Sequence, residues 1–167
     1  MSLEKKNNLK KIMTLIGIIV GAFLVVVIAV PILNSLFSMR FKTQVAQQPR
    51  MHDTLLLQEY GDCGVLKEGN SFAYISATAL YIPNQTLDSV KEHYSVVIHD
   101  IKDPKGVTTG SCDYEVIKLD SYTFETTFAD EPITLHSLAG RESFDDCYAI
   151  VIYDDGYSSP FDYRTYF

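Results

Sequence analysis

Residues 12–33 read IMTLIGIIVGAFLVVVIAVPIL, 22 positions without a charged side chain, among which Thr14 is the one conventional polar residue. At about 1.5 Å of rise per residue, a helix over this run reaches about 33 Å, the depth of a bilayer's hydrocarbon core. Fifteen of the 22 are Leu, Ile, Val or Phe, so insertion is favoured by at most roughly 5 to 9 kcal/mol. A buried helix of a globular core is normally shorter and keeps a polar stripe. The run is therefore read as a transmembrane helix with its ends at Ile12 and Leu33. Pro31 lacks an N–H and disfavours a helical Val30, which predicts a kink or an end near the interface.

Outward from this run the chain divides by charge. Residues 1–42 carry six basic side chains and one acid, while residues 43–167 carry 8 basic and 20 acidic ones, so the head is +5, the body −12 and the 167-residue chain −7. All eleven Tyr lie in the body. This composition excludes a soluble single-domain protein, a disordered chain and a collagen-like one. The apolar run is too long for a cleaved signal peptide, and Asn34-Ser35-Leu36-Phe37-Ser38-Met39 offers no small-x-small cleavage site. An uncleaved signal anchor fits better. No lipobox Cys follows, since the first Cys is Cys63. Four Lys precede the span and Arg40, Lys42 and Arg50 follow it, a slim positive-inside margin. With a strongly acidic body, it predicts a cytoplasmic tail and a domain outside the cell membrane. Phe37 and Phe41, with Arg40 and Lys42, suit either an anchor among head groups or a solvated linker.

Met13-Thr14-Leu15-Ile16, followed by a long apolar helix and Pro31, resembles the amino-terminal helix of a type IV pilin or pseudopilin over about twenty residues. That family carries Gly before its cleavage point and Glu at the fifth mature position. Ile12 and Gly17 stand there instead, removing the processing site and the assembly contact that the resemblance implies.

The expected organisation is a basic tail (1–11), the span (12–33), a juxtamembrane stalk (34–52) and an acidic domain (53–167). About 115 residues suffice for one core. Residues 71–81 (SFAYISATALY), between Gly69-Asn70 and Pro83-Asn84, suit a strand whose Ala73, Ala77 and Ala79 allow close packing. Thr86 caps an expected helix whose Leu87, Val90, Tyr94, Val97, Ile98 and Ile101 share a face, although Val96-Val97-Ile98 is β-prone. Residues 102–111 read as a loop. Strands are expected at 114–119, at 122–128 with clean alternation, at 133–139, and at 147–153 (CYAIVIY), which is apolar on both faces and hence central. Asp155-Gly156 signals a turn, after which residues 161–167 form an edge strand or pack on the domain. The fold class is α+β, a mostly antiparallel sheet of about five strands covered by one helix.

Three Cys leave one thiol over in any pairing, and Cys112 with Cys147, each opening an expected strand, is the candidate disulfide. Three reduced thiols are the alternative. No two Cys have metal-ligand spacing, and His52, His93, His99 and His136 form no cluster with them. Residues 156–160 lack the final Gly of a nucleophile elbow, and residues 106–110 match neither a P-loop nor a dinucleotide fingerprint. Cys147 with His136 is a pairing without an identified third member. Asp145-Asp146 and Asp154-Asp155 flank one strand, about 20 Å or more apart, too far for one carboxylate site. Asp154, Asp155 and Asp162 lack EF-hand spacing for Ca²⁺. Asn84-Gln85-Thr86 is a sequon only in a glycosylating host. A −12 body disfavours nucleic acid. No catalytic, cofactor or metal residue is assigned. The expected function is a non-catalytic binding or assembly module, held in the bilayer and meeting another membrane or envelope protein. The alternatives are an anchored hydrolase using a Cys/His or carboxylate site, and a pilin-like subunit.

Overall fold

The computed structural model describes residues 3–104 and 112–165. Most of the 102–111 loop and the last two residues of the aromatic 161–167 segment thus fall outside the described residues. The chain opens with helix α1 (Leu3–Lys42), 40 residues that include Pro31, and a four-residue turn of helix, α2 (Gln44–Gln47), follows. The sheet strands are β1 (Leu55–Gly64), β2 (Phe72–Tyr81), β3 (Asp113–Lys118) and β6 (Cys147–Tyr157). Between them lie helix α3 (Leu87–Val97) and the hairpin strands β4 (Thr123–Thr126) and β5 (Ala129–Thr134). The fold is α+β, with one long apolar helix at the amino terminus and an antiparallel sheet ordered β1-β2-β6-β3.

The dry strand is central, as its pattern predicts. β6 lies between β2 and β3, and residues 147–153 are all buried. The turn expected at Asp155-Gly156 is not formed; the strand continues through it to Tyr157 with an irregularity instead. Phe72 pairs with Tyr157 but Tyr74 with Asp154, so the register slips there, and Gly156 takes φ +86°, a conformation glycine adopts without a Cβ penalty. Helix α3 starts at Thr86, whose side chain accepts from the Ser89 N–H at 3.2 Å. The β-prone run after it becomes a 3-10 turn (Ile98–Asp100).

Four further expectations change. The sheet has four strands among the described residues, because β4 and β5 form a separate two-stranded hairpin. It is covered on both faces, not by one helix. Tyr74, Leu80, Tyr148, Ile150 and Ile152 face Phe41, Val45, Val90 and Tyr94 of the helices. The small residues Ala73, Ala77 and Ala79 face the bulky Phe124, Ile133, Leu135 and Leu138 of the hairpin and the turn after it. Residues 133–139 end β5 and enter a 3-10 turn at His136–Leu138, and β1, not anticipated, is an edge strand of the sheet.

The fourth change bears on function. The expected stalk is not a tether. α1 runs through Pro31 to Lys42, and Asn34, Ser38, Phe41 and Val45, at i, i+4, i+7 and i+11, are buried against the sheet. An interior Pro costs about 3 kcal/mol in an isolated helix, and this packing offsets it. Gly61 admits the end of α1, because a Cβ there would stand 2.8 Å from the Lys42 Cβ, and the Ser76 hydroxyl donates to the Lys42 carbonyl at 3.1 Å.

Candidate functional site

Where α1 meets the sheet, polar side chains from four distant segments converge inside the protein. Asn34 is the centre. Its Nδ2 donates to the Ser159 Oγ at 2.7 Å and to the Asp162 Oδ2 at 2.8 Å, and its Oδ1 accepts from the Tyr74 hydroxyl at 3.0 Å. Asp162 is 0% exposed and Asn34 8%. Asp162 is held by the short loop that leads into a 3-10 turn at Tyr163–Thr165, where its own N–H donates to the Ser159 carbonyl at 3.0 Å.

Arg164 closes the cluster. Its Nε donates to the Asp162 Oδ1 at 2.9 Å and its Nη2 to the Asp162 Oδ2 at 2.7 Å, a bidentate pair. Nη2 also reaches the Pro31 carbonyl at 3.1 Å, and Nη1 reaches the Ser35 Oγ at 3.4 Å and the Cys63 Sγ at 3.0 Å. A guanidinium has five N–H donors, and these five contacts use them all.

The electrostatics follow from that saturation. Burial acts to raise the Asp162 carboxyl, but the hydrogen bonds from Arg164 and Asn34 outweigh it and hold the group below the usual carboxylate range. Pairing with Asp162 raises Arg164 against the opposing effect of burial. Burial pushes the Cys63 thiol up to about 11 although Arg164 pulls the other way, and burial likewise raises Tyr74. At neutral pH the thiol and the phenol are protonated while the Asp162–Arg164 pair is charged. An arginine whose donors are spent on five acceptor atoms of four residues has none left to polarise a substrate, and a protonated thiol is a weak nucleophile. The chemistry this cluster performs is fastening: it bonds the 159–165 loop to the turn of α1 that carries Pro31, Asn34 and Ser35. Beside it opens a cleft of about 380 Å³ whose lining includes Tyr60, Asp62, Cys63, Asp130, Glu131 and Arg164.

The residues singled out from the sequence are distributed differently. Cys63, Cys112 and Cys147 are free and buried. Cys112 packs in the core on the helix side of the sheet and Cys147 in the core on the hairpin side. Both open strands of one antiparallel pair, in which Asp113 faces Tyr153 and Lys118 faces Tyr148. Two strand starts in such a pair lie at opposite ends, here roughly 20 Å apart, so the expected disulfide is not formed. Cys147 is fully buried while His136 lies on the surface. Asp162 joins Arg164 rather than Asp154, whose Oδ2 accepts from the Tyr157 hydroxyl at 2.8 Å. Asp146 accepts from the Asn84 N–H and Asp145 from the Ser143 hydroxyl. Among the described residues, no group of three or more His, Cys, Asp or Glu is placed to hold a metal ion. Ile12 and Leu33 are each about half exposed on α1.

Burial also raises the Cys112 thiol, to about 12, and the Cys147 thiol. An aqueous alkylating reagent at neutral pH is therefore expected to leave all three thiols unmodified in the folded protein and to modify three per chain in urea without prior reduction. Intact-mass measurement checks this, and a fast-reacting thiol in the native state would contradict the burial described.

The sequence alone did not single out Asn34, Ser38, Cys63 or Arg164. The helical spacing 34, 38, 41, 45 was the available signal, obscured because two of its four members are polar. Comparison of the chain with protein-family models, with curated proteins and with solved structures found no match.

Proposed function

We propose that the protein is a single-pass membrane protein whose amino-terminal tail is cytoplasmic and whose acidic domain, outside the cell membrane, is a non-catalytic binding or assembly module. One observation carries the reading. Residues 10–26 of α1 are exposed along every face of the helix, and the helix is long and apolar enough to cross a membrane. Large side chains such as Ile18, Ile19, Phe23, Leu24 and Val25 are half or more exposed. A continuous apolar column of this kind is favourable only in lipid or against other apolar helices. The four Lys of the tail, against Arg40, Lys42 and Arg50 on the other side of the span, support the orientation by a slim margin.

The binding reading is supported by how the domain spends its polar groups. The buried Asp162–Arg164 pair fastens the helix to the domain, which restrains the span against the sheet. That suits a module that presents a surface at fixed height and angle above the bilayer. The surface best suited to a partner is the edge strand β1, whose Leu55 and Leu56 are exposed and whose outer edge favours strand addition by another membrane or envelope protein.

Two measurements on the full chain test this. After alkaline extraction the protein is expected in the membrane pellet, and protease added outside sealed cells is expected to digest the domain and spare the tail. Digestion only from the cytoplasmic face would overturn the orientation. A photo-reactive residue at position 55 is expected to give a discrete adduct in cells that one at Lys91 does not. Identical patterns at the two positions would remove the β1 edge as the contact.

A further inference from the structure

We propose that Phe161 is inserted among the acyl chains of the outer leaflet, so that the domain is seated in the membrane by one loop and does not stand clear of it. This rests on the reading of residues 12–33 as the span. The observation behind it is a contact between the two parts of the molecule. The Phe161 ring meets the Phe23 ring edge-on, with centroids 6.2 Å apart and planes at 80°.

Phe23 is near the middle of the uncharged run. It lies eight residues before Pro31, about 12 Å down the helix axis, and helical side chains lean further toward the amino terminus. A hydrocarbon core about 30 Å thick that begins just beyond Lys10 and Lys11 contains Phe23 wherever the other boundary falls. A ring whose centroid lies 6.2 Å from that of Phe23 can differ from it in depth by no more than that distance. Phe161 is nonetheless 43% exposed, so the part of its ring turned away from α1 faces lipid.

Part of the loop's chemistry fits that environment. Backbone entering hydrocarbon must have its polar groups satisfied within the protein. Pro160 has no N–H to satisfy, the Asp162 N–H donates to the Ser159 carbonyl, and the Thr165 N–H donates to the Asp162 carbonyl, each at 3.0 Å. The two charged residues among 158–165 are Asp162 and Arg164, and they neutralise one another, with Arg164 directed back toward Pro31, Ser35 and Cys63. Phe161 is thus an apolar tip on a loop whose charges are already paired.

The chain has no Trp, so a single substitution creates a unique indole. Phe161→Trp, Phe23→Trp and Tyr122→Trp are each made in the full chain and reconstituted into phosphatidylcholine vesicles. Their emission is quenched either by lipid brominated on its acyl chains or by aqueous iodide. Tyr122 lies beyond β3, at the end of the sheet opposite the 158–165 loop, and serves as the aqueous reference.

Phe161→Trp is expected to lose most of its emission to brominated lipid, as Phe23→Trp does, and little to iodide. Tyr122→Trp is expected to behave in the opposite way. If Phe23→Trp is quenched by the lipid while Phe161→Trp follows Tyr122→Trp, the inserted loop is refuted and the anchor stands. If brominated lipid quenches neither, the span itself is wrong. Should Phe161→Trp lose its cooperative urea transition, Tyr163→Trp replaces it as reporter. That position is 63% exposed in the same loop, and the same two outcomes decide.

Discussion

A chain that starts at Arg50 is expected to show no cooperative urea transition, whereas one that starts at Pro31, with the exposed Ile32, Leu33, Leu36 and Met39 changed to Gln for solubility, is expected to unfold in a single sigmoidal step. The reason is that the end of α1 and the α2 turn after it supply part of the core. Phe41 is 0% exposed and Val45 1%, and both pack with Phe72, Tyr74, Leu80 and Tyr148 on the helix-covered face of the sheet. Removing a buried Phe side chain costs about 3–5 kcal/mol, and leaving the site of a buried Val uncovered adds about 1.5–3 kcal/mol. The Tyr74 and Ser76 hydroxyls also lose their acceptors on Asn34 and Lys42, at about 1–3 kcal/mol each where they remain buried. A domain of this size is stable by about 5–15 kcal/mol in all, so the loss takes most or all of it. Circular dichroism at increasing urea reads the difference directly. Equal midpoints for the two chains would mean that the helix only rests on a domain complete without it.

That dependence also explains what the sequence disclosed and what it hid. A strand with two dry faces announces its central place, because each residue in 147–153 must be shielded from water whichever way it points. Thr86 announces a helix start because a hydroxyl at that position satisfies a backbone N–H that nothing else in the helix can reach. β1 was hidden because LLLQEYGDCG has no alternation. An edge strand with one shielded side tolerates charges and glycines, and Gly61 serves the approach of α1 rather than the strand itself. The alanines of β2 correctly marked a closely packed face, but periodicity states which face is covered and not by what, and here the hairpin covers it.

The candidate site was harder still, since its members are 34, 63, 74, 159, 162 and 164 and their chemistry exists only after folding brings them together. The disulfide expectation failed for a related reason. It assumed that neighbouring strand starts meet, which holds for parallel strands and not for the antiparallel pair β3 and β6.

Arg164→Met is expected to destabilise the protein by about 3–5 kcal/mol, the cost of stripping a buried carboxylate of its partner. Asp162 has no access to water and would retain only the Asn34 amide and the backbone N–H of residue 164. Asp162→Asn alone leaves a guanidinium facing a neutral amide, with one carboxylate oxygen replaced by an NH2 that cannot accept. The double variant carries no unpaired charge and is expected to lose less than the two single losses added together, with a coupling of about 0.5–3 kcal/mol in a double-mutant cycle. Losses that simply add would show that Asp162 and Arg164 act separately, and the junction would then be a packing contact rather than an ionic fastening. Acid adds a second signature. The Asp162 carboxyl lies below its unfolded value, so the folded state binds fewer protons than the unfolded one between the two values. Its contribution is therefore complete above the ordinary carboxylate pKa of about 3.9 and is lost as pH falls through the lower, folded value. The parent chain is expected to weaken in that acid window. Arg164→Met, in which the carboxyl no longer benefits from the guanidinium, is expected to show a flatter profile there, so that the gap between the two chains narrows with acid. Urea midpoints taken across that range check it, and a gap that stays constant through the window would mean that the Asp162 charge plays no part in holding the helix to the sheet.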